Sequence, residues 1–417
     1  MMLTSKIWSK ILYLATRPPP WCYALPSTIY TPFLSSPEEN LHGHLSTLET
    51  RLSVVLVSRQ WYSLGTPYLY EFLRLSRSEA FYCLLDALER RRGTGNDIAP
   101  YIRVVVLPYE PRPQVSPLLI LAQLPNLEVI IRSRWPNYVW PDPSTRPIED
   151  LDSGELPPPP PYAPSLDSLS DVLGEVRRVD CYENLMPARI GGIDRLESLL
   201  QACPGVEYLS IQGYPCDAFD IVPLPSLTTL RIGQYTSLRR FYKTWSMPNL
   251  RHVAIHVQVT HRLFWKHFGQ NLHSVEIIIS QSSVPDRNGD ELSDILESCP
   301  NLKELSYHVE LCRSPIFRNG AHTSLEHIRI HAGHASPTAV PSGTLYNHVS
   351  SHFYAYTQRT VPALRKVVLY GSWEEKVPDM TSILTRFEAD GHRVEKEMVD
   401  MNLWSGLSPE DPVPDFL

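Results

Sequence analysis

Four side chains in this sequence sit at spacings that bring chemical groups together: His308, and then His327, Arg329 and His331 in the segment His327-Ile328-Arg329-Ile330-His331. Alternate residues of an extended segment point the same way, so the last three share one face, and a neighbouring strand ~4.8 Å away sets His308 beside His331. Imidazoles placed so change charge between about pH 5 and 8. No metal is expected there, because no carboxylate or thiolate completes an obvious ligand set. His261 and His267 flank Leu263-Phe264-Trp265 and read as solvated ends of a core-facing crossing. Cys203 and Cys299 each complete an apolar stripe at helical spacing, which explains them as small core residues rather than nucleophiles. There is no nucleophile elbow, P-loop, dinucleotide fingerprint or H-E-x-x-H pair. The expectation is a protein without catalytic residues, metal or cofactor, whose chemistry is recognition.

What positions those residues is a repeating frame, P-x-L-x-x-L-x-[I/L/Y]. It reads Pro204, Val206, Leu209, Ile211; Pro225, Leu227, Leu230, Ile232; Pro248, Leu250, Val253, Ile255; Pro300, Leu302, Leu305, Tyr307; and Pro362, Leu364, Val367, Leu369. Copies without the proline run through Leu272, Val275, Ile277 and Leu325, Ile328, Ile330. Earlier members run through Ile102, Val105, Leu107; Leu127, Ile130; and Val176, Val179, Cys181. Units start about 21 to 30 residues apart, the period of leucine-rich repeats. The last two apolar positions share one side of a short strand, and stacked strands then form a parallel sheet whose inner side is continuous core. Leu196, Leu199, Leu200, Cys203 and Leu292, Ile295, Leu296, Cys299 stand at i, i+3, i+4, i+7 and predict helical crossings. The fold class predicted is α/β, a leucine-rich-repeat solenoid with a curved parallel sheet and helical crossings.

Thirty-eight basic against 45 acidic residues give a net charge of -7, with no long basic run, so nucleic acid is not an expected partner. Seven cysteines lack the spacing of a disulfide framework or zinc module, which points to a reduced, cytoplasmic or nuclear chain. The apolar run at residues 1–17 is broken and reads as neither signal peptide nor membrane span. Residues 1–24 read as a short helix and a proline break, an N-terminal extension without identifiable chemistry. Residues 25–75 read as a small helical module, with one helix from Arg51 to Gly65, stopped by Pro67, and Tyr68 to Leu75 extended. Residues 76–400 hold the repeats, interrupted at about 136–164 by a proline-rich, acidic insertion, and 401–417 read as a loose tail. Ser78 to Arg92 and Val377 to Ala389 are further predicted helices, the second capping the array.

The phrase Leu56-Val57-Ser58-Arg59-Gln60-Trp61-Tyr62-Ser63-Leu64-Gly65-Thr66-Pro67-Tyr68-Leu69-Tyr70 resembles the second half of an F-box as it occurs in fungal F-box and leucine-rich-repeat proteins. Leu25-Pro26 resembles that domain's opening, although Thr28 stands where an acidic residue is usual and residues 35–45 look inserted. The resemblance implies a substrate receptor of a cullin-type ubiquitin ligase, docked on a Skp-type adaptor through Leu25, Pro26, Ile29, Leu56, Val57 and Trp61. The repeats would hold the protein target. The alternative is a repeat scaffold whose N-terminal helices only cover the exposed end of the array. Pro159-Pro160-Pro161-Tyr162 also resembles a ligand for a WW-domain protein, against the plainer reading of a linker. In each strand the residues alternating with the core positions face away from it, so Tyr208, Arg231, His256, His308, Arg329 and His331 are the expected target-binding residues on the concave face.

Overall fold

The proline of the frame makes a turn. In Leu124-Pro125-Asn126-Leu127, Cys203-Pro204-Gly205-Val206, Leu224-Pro225-Ser226-Leu227, Cys299-Pro300-Asn301-Leu302 and Val361-Pro362-Ala363-Leu364, the fourth residue donates its N–H to the carbonyl of the first. Proline suits the second place of such a turn because its φ is already set and the turn needs no amide there. The first and fourth residues of all five turns are buried, so the frame carries one more apolar position than its leucines, the residue ahead of the proline.

The computed structural model describes residues 5–16, 48–75, 78–92, 94, 97–107, 120–132, 171–182, 196–212, 222–233, 244–256, 262–278, 290–309, 312–318, 320–332, 342–371, 373, 377, 379–389, 391 and 393–397. The strands are β1 (Phe72–Arg74), β2 (Val104–Leu107), β3 (Val129–Arg132), β4 (Arg178–Tyr182), β5 (Tyr208–Gln212), β6 (Val222–Pro223), β7 (Thr229–Ile232), β8 (Trp245–Ser246), β9 (His252–His256), β10 (Ser274–Ile278), β11 (Glu304–His308), β12 (His327–His331), β13 (Lys366–Tyr370) and β14 (Arg393–Glu397). The described residues fall into two compact units, one reaching Leu227 and including Trp245–Met247, the other holding Thr228 onward and all that follows Pro248. In the first, β1 to β5 pair in parallel and in sequence order, with β6 and β8 as a separate pair. In the second, β7, β9, β10, β11, β12, β13 and β14 do the same. Crossings include helices at Leu196–Ala202, Arg262–Phe268, Glu291–Ser298 and Ser342–Ala355 and 3-10 turns at Ala99–Tyr101 and Gly269–Asn271. This is the leucine-rich-repeat architecture that the frame predicts.

Core positions obey the frame throughout: Val105, Ile130, Val179, Leu209, Leu230, Val253, Val275, Leu305, Ile328 and Val367 are all buried. The other face of β1 to β3 departs from simple alternation. Phe72, Val104, Val106, Val129 and Ile131 form a second buried apolar cluster, as the unbroken Val104-Val105-Val106 run requires. One strand has no apolar signature: β14 pairs in register with β13 although only Val394 of Arg393-Val394-Glu395-Lys396-Glu397 is apolar. Charges of this kind blunt the open edge of a sheet.

The helical module differs from its expected outline. Ser5–Thr16 is a helix, and it packs on the helix Arg59–Tyr70 with Trp8 against Trp61 at 5.1 Å and Tyr13 against Tyr68 at 5.9 Å. The single helix expected from Arg51 to Gly65 is two, residues 48–56 and Arg59–Tyr70. They are divided at Ser58, whose side chain accepts from the Trp61 N–H and caps the second. Pro67 lies inside that helix rather than ending it. Its missing amide costs one bond, but its carbonyl still accepts from the Glu71 N–H, and the strand begins only at Phe72. The two helices meet at Gly65, where a Cβ would lie 3.0 Å from Val55 Cγ1. Arg51, Val54 and Val55 are the buried side of the first, which turns Leu52 and Leu56 to solvent. The Arg51 Nε donates to the Thr16 carbonyl at 2.9 Å, a cation at a helix C-terminus. Leu25, Pro26, Ile29, the proline-rich insertion with its Pro-Pro-Pro-Tyr phrase, and the tail lie outside the described residues.

Adjacent repeats touch closely enough to dictate glycine. A Cβ on Gly269 would stand 2.4 Å from the Ser298 carbonyl oxygen and 2.9 Å from Cys299 Sγ, and one on Gly205 would stand 2.5 Å from the Gly174 carbonyl oxygen. Gly269→Ala is therefore expected to cost ~1 to 3 kcal/mol by overpacking, read as a lower urea midpoint at unchanged m; a midpoint equal to the parent's would show that these repeats are not in contact.

Candidate functional site

Two surfaces carry the residues singled out from the sequence. On the helical module, Leu56 is 81% and Val57 61% exposed, while Trp61 is half-buried against Trp8. The exposure is not confined to them. Ile7, Ile11 and Leu14, at i, i+4 and i+7 of the Ser5–Thr16 helix, are also exposed, as are Leu52 and Tyr62. The opposite side of the same helix holds the buried Leu12 and Thr16, so the exposed stripe is a second apolar face rather than a frayed core. Monomeric proteins seldom leave several large aliphatic side chains uncovered together. The short helix expected within residues 1–24 is thus part of this surface, a role that the spacing of Ile7, Ile11 and Leu14 signals in the sequence.

The second surface is the sheet face turned away from the core. Strand register aligns Arg231, Ala254, Glu276, Ser306, Arg329, Val368 and Glu395 in one row. Glu304, His327, Lys366 and Arg393 align toward the strand starts, and His308, His331 and Tyr370 toward the strand ends. Exposure is graded across these rows: Glu304, His327 and Lys366 are half-buried, whereas His308, His331 and Tyr370 are buried. The structure brings His308 and His331 together, ring centroids 4.5 Å apart. It joins Arg329 to Glu304 by a 2.7 Å bond, with His327 Nδ1 3.5 Å from the other oxygen of that carboxylate. Burial pushes the Glu304 carboxyl up, but the hydrogen bonds and charges of Arg329 and His327 outweigh it and hold the group below its ordinary range. His256 is buried, and desolvation pushes its pKa down to about 4. Arg231 is half-buried on β7. Tyr208, in the first unit, is buried beneath the Arg178 guanidinium, 4.8 Å above its ring, and Arg178 is itself paired with the buried Asp180 at 2.7 Å. Of the six residues expected to meet a target, Arg231 and Arg329 thus reach the surface, and Tyr208, His256, His308 and His331 lie beneath it.

Burial pushes the Cys203 thiol up to about 12 and raises Cys299 and Cys312 as well, so none offers a thiolate near neutral pH. Among the described residues no group of three or more His, Cys, Asp or Glu side chains is placed to hold a metal ion. Nor, among them, is any helix long and apolar enough to cross a membrane.

No protein-family model matches the chain, and no curated protein matches it. Among solved structures it is similar to a TLR13 complex with a single-stranded RNA, at 12% identity and a TM-score of 0.31, over 64% of this chain and 36% of that one. A likeness so distant says nothing of ligand or partner.

A polar chain buried behind β11 fixes the crossing at Ser342–Ala355. Tyr356 donates to the Tyr307 hydroxyl at 3.2 Å, Tyr307 to His352 Nδ1 at 3.1 Å, and His352 Nε2 to the Cys312 carbonyl at 3.0 Å. Burial first, and then the charge of His348, push the His352 pKa down to about 3, against the Cys312 carbonyl. An unfolded histidine titrates near ~6.5. The unfolded chain accordingly takes up a proton that the folded one refuses. Stability present above that value is lost as pH falls toward 3, by on the order of a few kcal/mol. Urea midpoints should fall between pH 7 and pH 4, and fall less in His352→Gln; the same pH profile in both proteins would contradict this assignment.

Proposed function

We propose that the chain is the substrate-receptor subunit of a cullin-type ubiquitin ligase, holding a Skp-type adaptor on its N-terminal helices and a protein target on the outward face of its repeats. The observation that carries this reading is the uncovered apolar surface of the helical module. Seven large apolar side chains, Ile7, Ile11, Leu14, Leu52, Leu56, Val57 and Tyr62, are exposed within it. They include residues of the phrase that resembles an F-box. A module that only capped the array would direct such side chains inward. The capping alternative draws on a different observation, that the Arg59–Tyr70 helix also packs on β1 and on Ala99–Tyr101. The two readings are compatible in one module whose inner side covers the first repeat and whose outer side meets a partner.

Docking would bury side chains such as Leu56 and Ile11, each worth ~1.5 to 3 kcal/mol. Leu56→Asp and Ile11→Asp are expected to weaken co-purification with the adaptor at least tenfold while urea midpoints stay near the parent value, since both side chains are exposed. Adaptor capture that is undiminished in both variants, or absent in the parent at micromolar concentration, would remove the ligase reading and leave the scaffold.

For the target, the half-buried residues Arg231, Glu304, His327, Arg329 and Lys366 are the accessible contacts, and His256, His308 and His331 form the floor beneath them. Alanine at Arg329 and His327 is expected to reduce capture of a ligase substrate with little loss of stability. Capture unchanged in the double variant would move the contact off the sheet face.

A further inference from the structure

One residue ahead of each strand, the side chains of successive repeats stand ~4.8 Å apart along the edge of the sheet. In the first unit this row reads Glu71, Arg103, Glu128, Arg177 and Glu207, and its charges alternate. Arg103 lies 3.8 Å from Glu71 and also bonds Glu128, and Arg177 lies 3.4 Å from Glu207. In the second unit the row reads Thr228, Arg251, His273, Lys303, Glu326 and Arg365. Here Arg251, His273 and Lys303 follow one another with no carboxylate between them. Arg251 Nη1 donates to the Leu250 and Asn271 carbonyls at 3.1 and 3.5 Å, and His273 Nδ1 lies 3.1 Å from the Asn271 carbonyl oxygen. Among the described residues neither Arg251 nor Lys303 is ion-paired, and Glu326, the next carboxylate in the row, is turned to Arg365 at 3.3 Å. Like charges at strand spacing repel, and the first unit fills the same positions without that repulsion.

Beside Lys303 the row opens into a trough of about 470 Å3, lined by Lys303, Thr323, Ser324, Glu326 and Arg365 among others. Lys303, Thr323 and Arg365 are exposed and Ser324 is half-buried. Arg251, Lys303 and Arg365 against Glu326 leave this edge positive, before any proton on His273, on a chain whose net charge is -7. We propose that this edge of the second unit binds an acidic, extended polypeptide segment of the target, its carboxylates meeting Arg251, Lys303 and Arg365 and one of them entering the trough beside Thr323 and Ser324. Arg251 to Arg365 is four strand spacings, ~19 Å, a length that about six extended residues cover. A small anion meets one or two of these groups, whereas a polypeptide meets the whole row. Neither the row nor the trough carries a Phe, Tyr or Trp on which a nucleic-acid base could stack. A positive surface steers and selects a partner of opposite charge. The assignment rests on the reading that the repeats hold a protein target and adds the chemistry of that target. All these residues belong to the second unit, so it does not depend on the adaptor.

The test is a fluorescence-anisotropy titration of labelled hexaglutamate with the full chain, beside hexaglutamine carrying the same label. Hexaglutamate should bind saturably at low salt and lose affinity as salt is raised, and hexaglutamine should not bind. Lys303→Glu and Arg251→Glu should each weaken hexaglutamate several-fold while the circular dichroism spectrum stays unchanged. Lys266→Glu makes the same change of net charge on the helix Arg262–Phe268, at an exposed position away from the row, and should leave the affinity unaltered. Equal weakening by Lys266→Glu and Lys303→Glu would reduce the effect to net charge and overturn the assignment. So would equal binding of hexaglutamine, the lack of any saturable binding, or tighter binding of single-stranded oligothymidylate than of hexaglutamate. No adaptor enters the measurement: lost adaptor capture with hexaglutamate binding intact removes the ligase reading alone, and the reverse removes this one alone.

Discussion

One backbone carbonyl per repeat, just ahead of the strand, accepts two N–H groups from the next repeat. The Glu71 carbonyl takes the amides of Arg103 and Val104, that of Arg103 takes Glu128 and Val129, and that of Glu128 takes Arg177 and Arg178. In the second unit the carbonyls of Thr228, Arg251, His273, Lys303 and Glu326 do the same for the strands that follow. Because side chains alternate with a period of two, a slip of one residue at this rung would send every core leucine outward. The rung therefore fixes register through the backbone alone. The residue that carries it needs only a backbone, which is why arginine, glutamate, histidine, lysine and threonine all serve.

From that constraint the remaining features follow in order. The turn ahead of the rung must be tight, so proline stands in it and apolar residues flank it. The turns of neighbouring repeats must nest, which the side chains of Asn126 and Asn301 assist by donating to the Pro100 and Gln270 carbonyls of the repeat before. Where two repeats approach most closely, at Gly205 and Gly269, no side chain fits. The outward rows are left to vary, and they carry the Glu304, His327 and Arg329 cluster at the strand starts and the paired rings of His308 and His331 at the ends. In the proposed function, recognition depends on which residues occupy those rows and on what the helices before the first strand leave exposed.

Much of the architecture could be read directly from the sequence because the repeat signal is redundant: each L-x-x-L-x-I was supported by the others, and the crossings at Leu196 and Leu292 repeated one another's spacing. Single events were harder. Pro67 looked like a helix stop because its missing amide is visible in sequence, whereas the Ser58 cap and the Gly65 contact that hold the helix around it are tertiary. Leu52, Val55 and Leu56 share a face by helical spacing, yet of the three only Val55 is buried, and Arg51 takes a buried place beside it through its bond to Thr16, a residue 35 positions away. Burial of Tyr208, His256, His308 and His331 was equally out of reach, since alternation says which face a side chain takes and not what lies over it.

The central claim is that this repeat protein meets its partner through the uncovered apolar surface of its N-terminal helices. Hydrogen–deuterium exchange of the full chain, with and without a Skp-type adaptor, tests it most directly. Added protection is predicted in peptides covering residues 5–16 and 48–62, with the strands β9 to β13 unchanged. Protection confined to the repeats, or none in those two helical segments at saturating adaptor, would contradict the account.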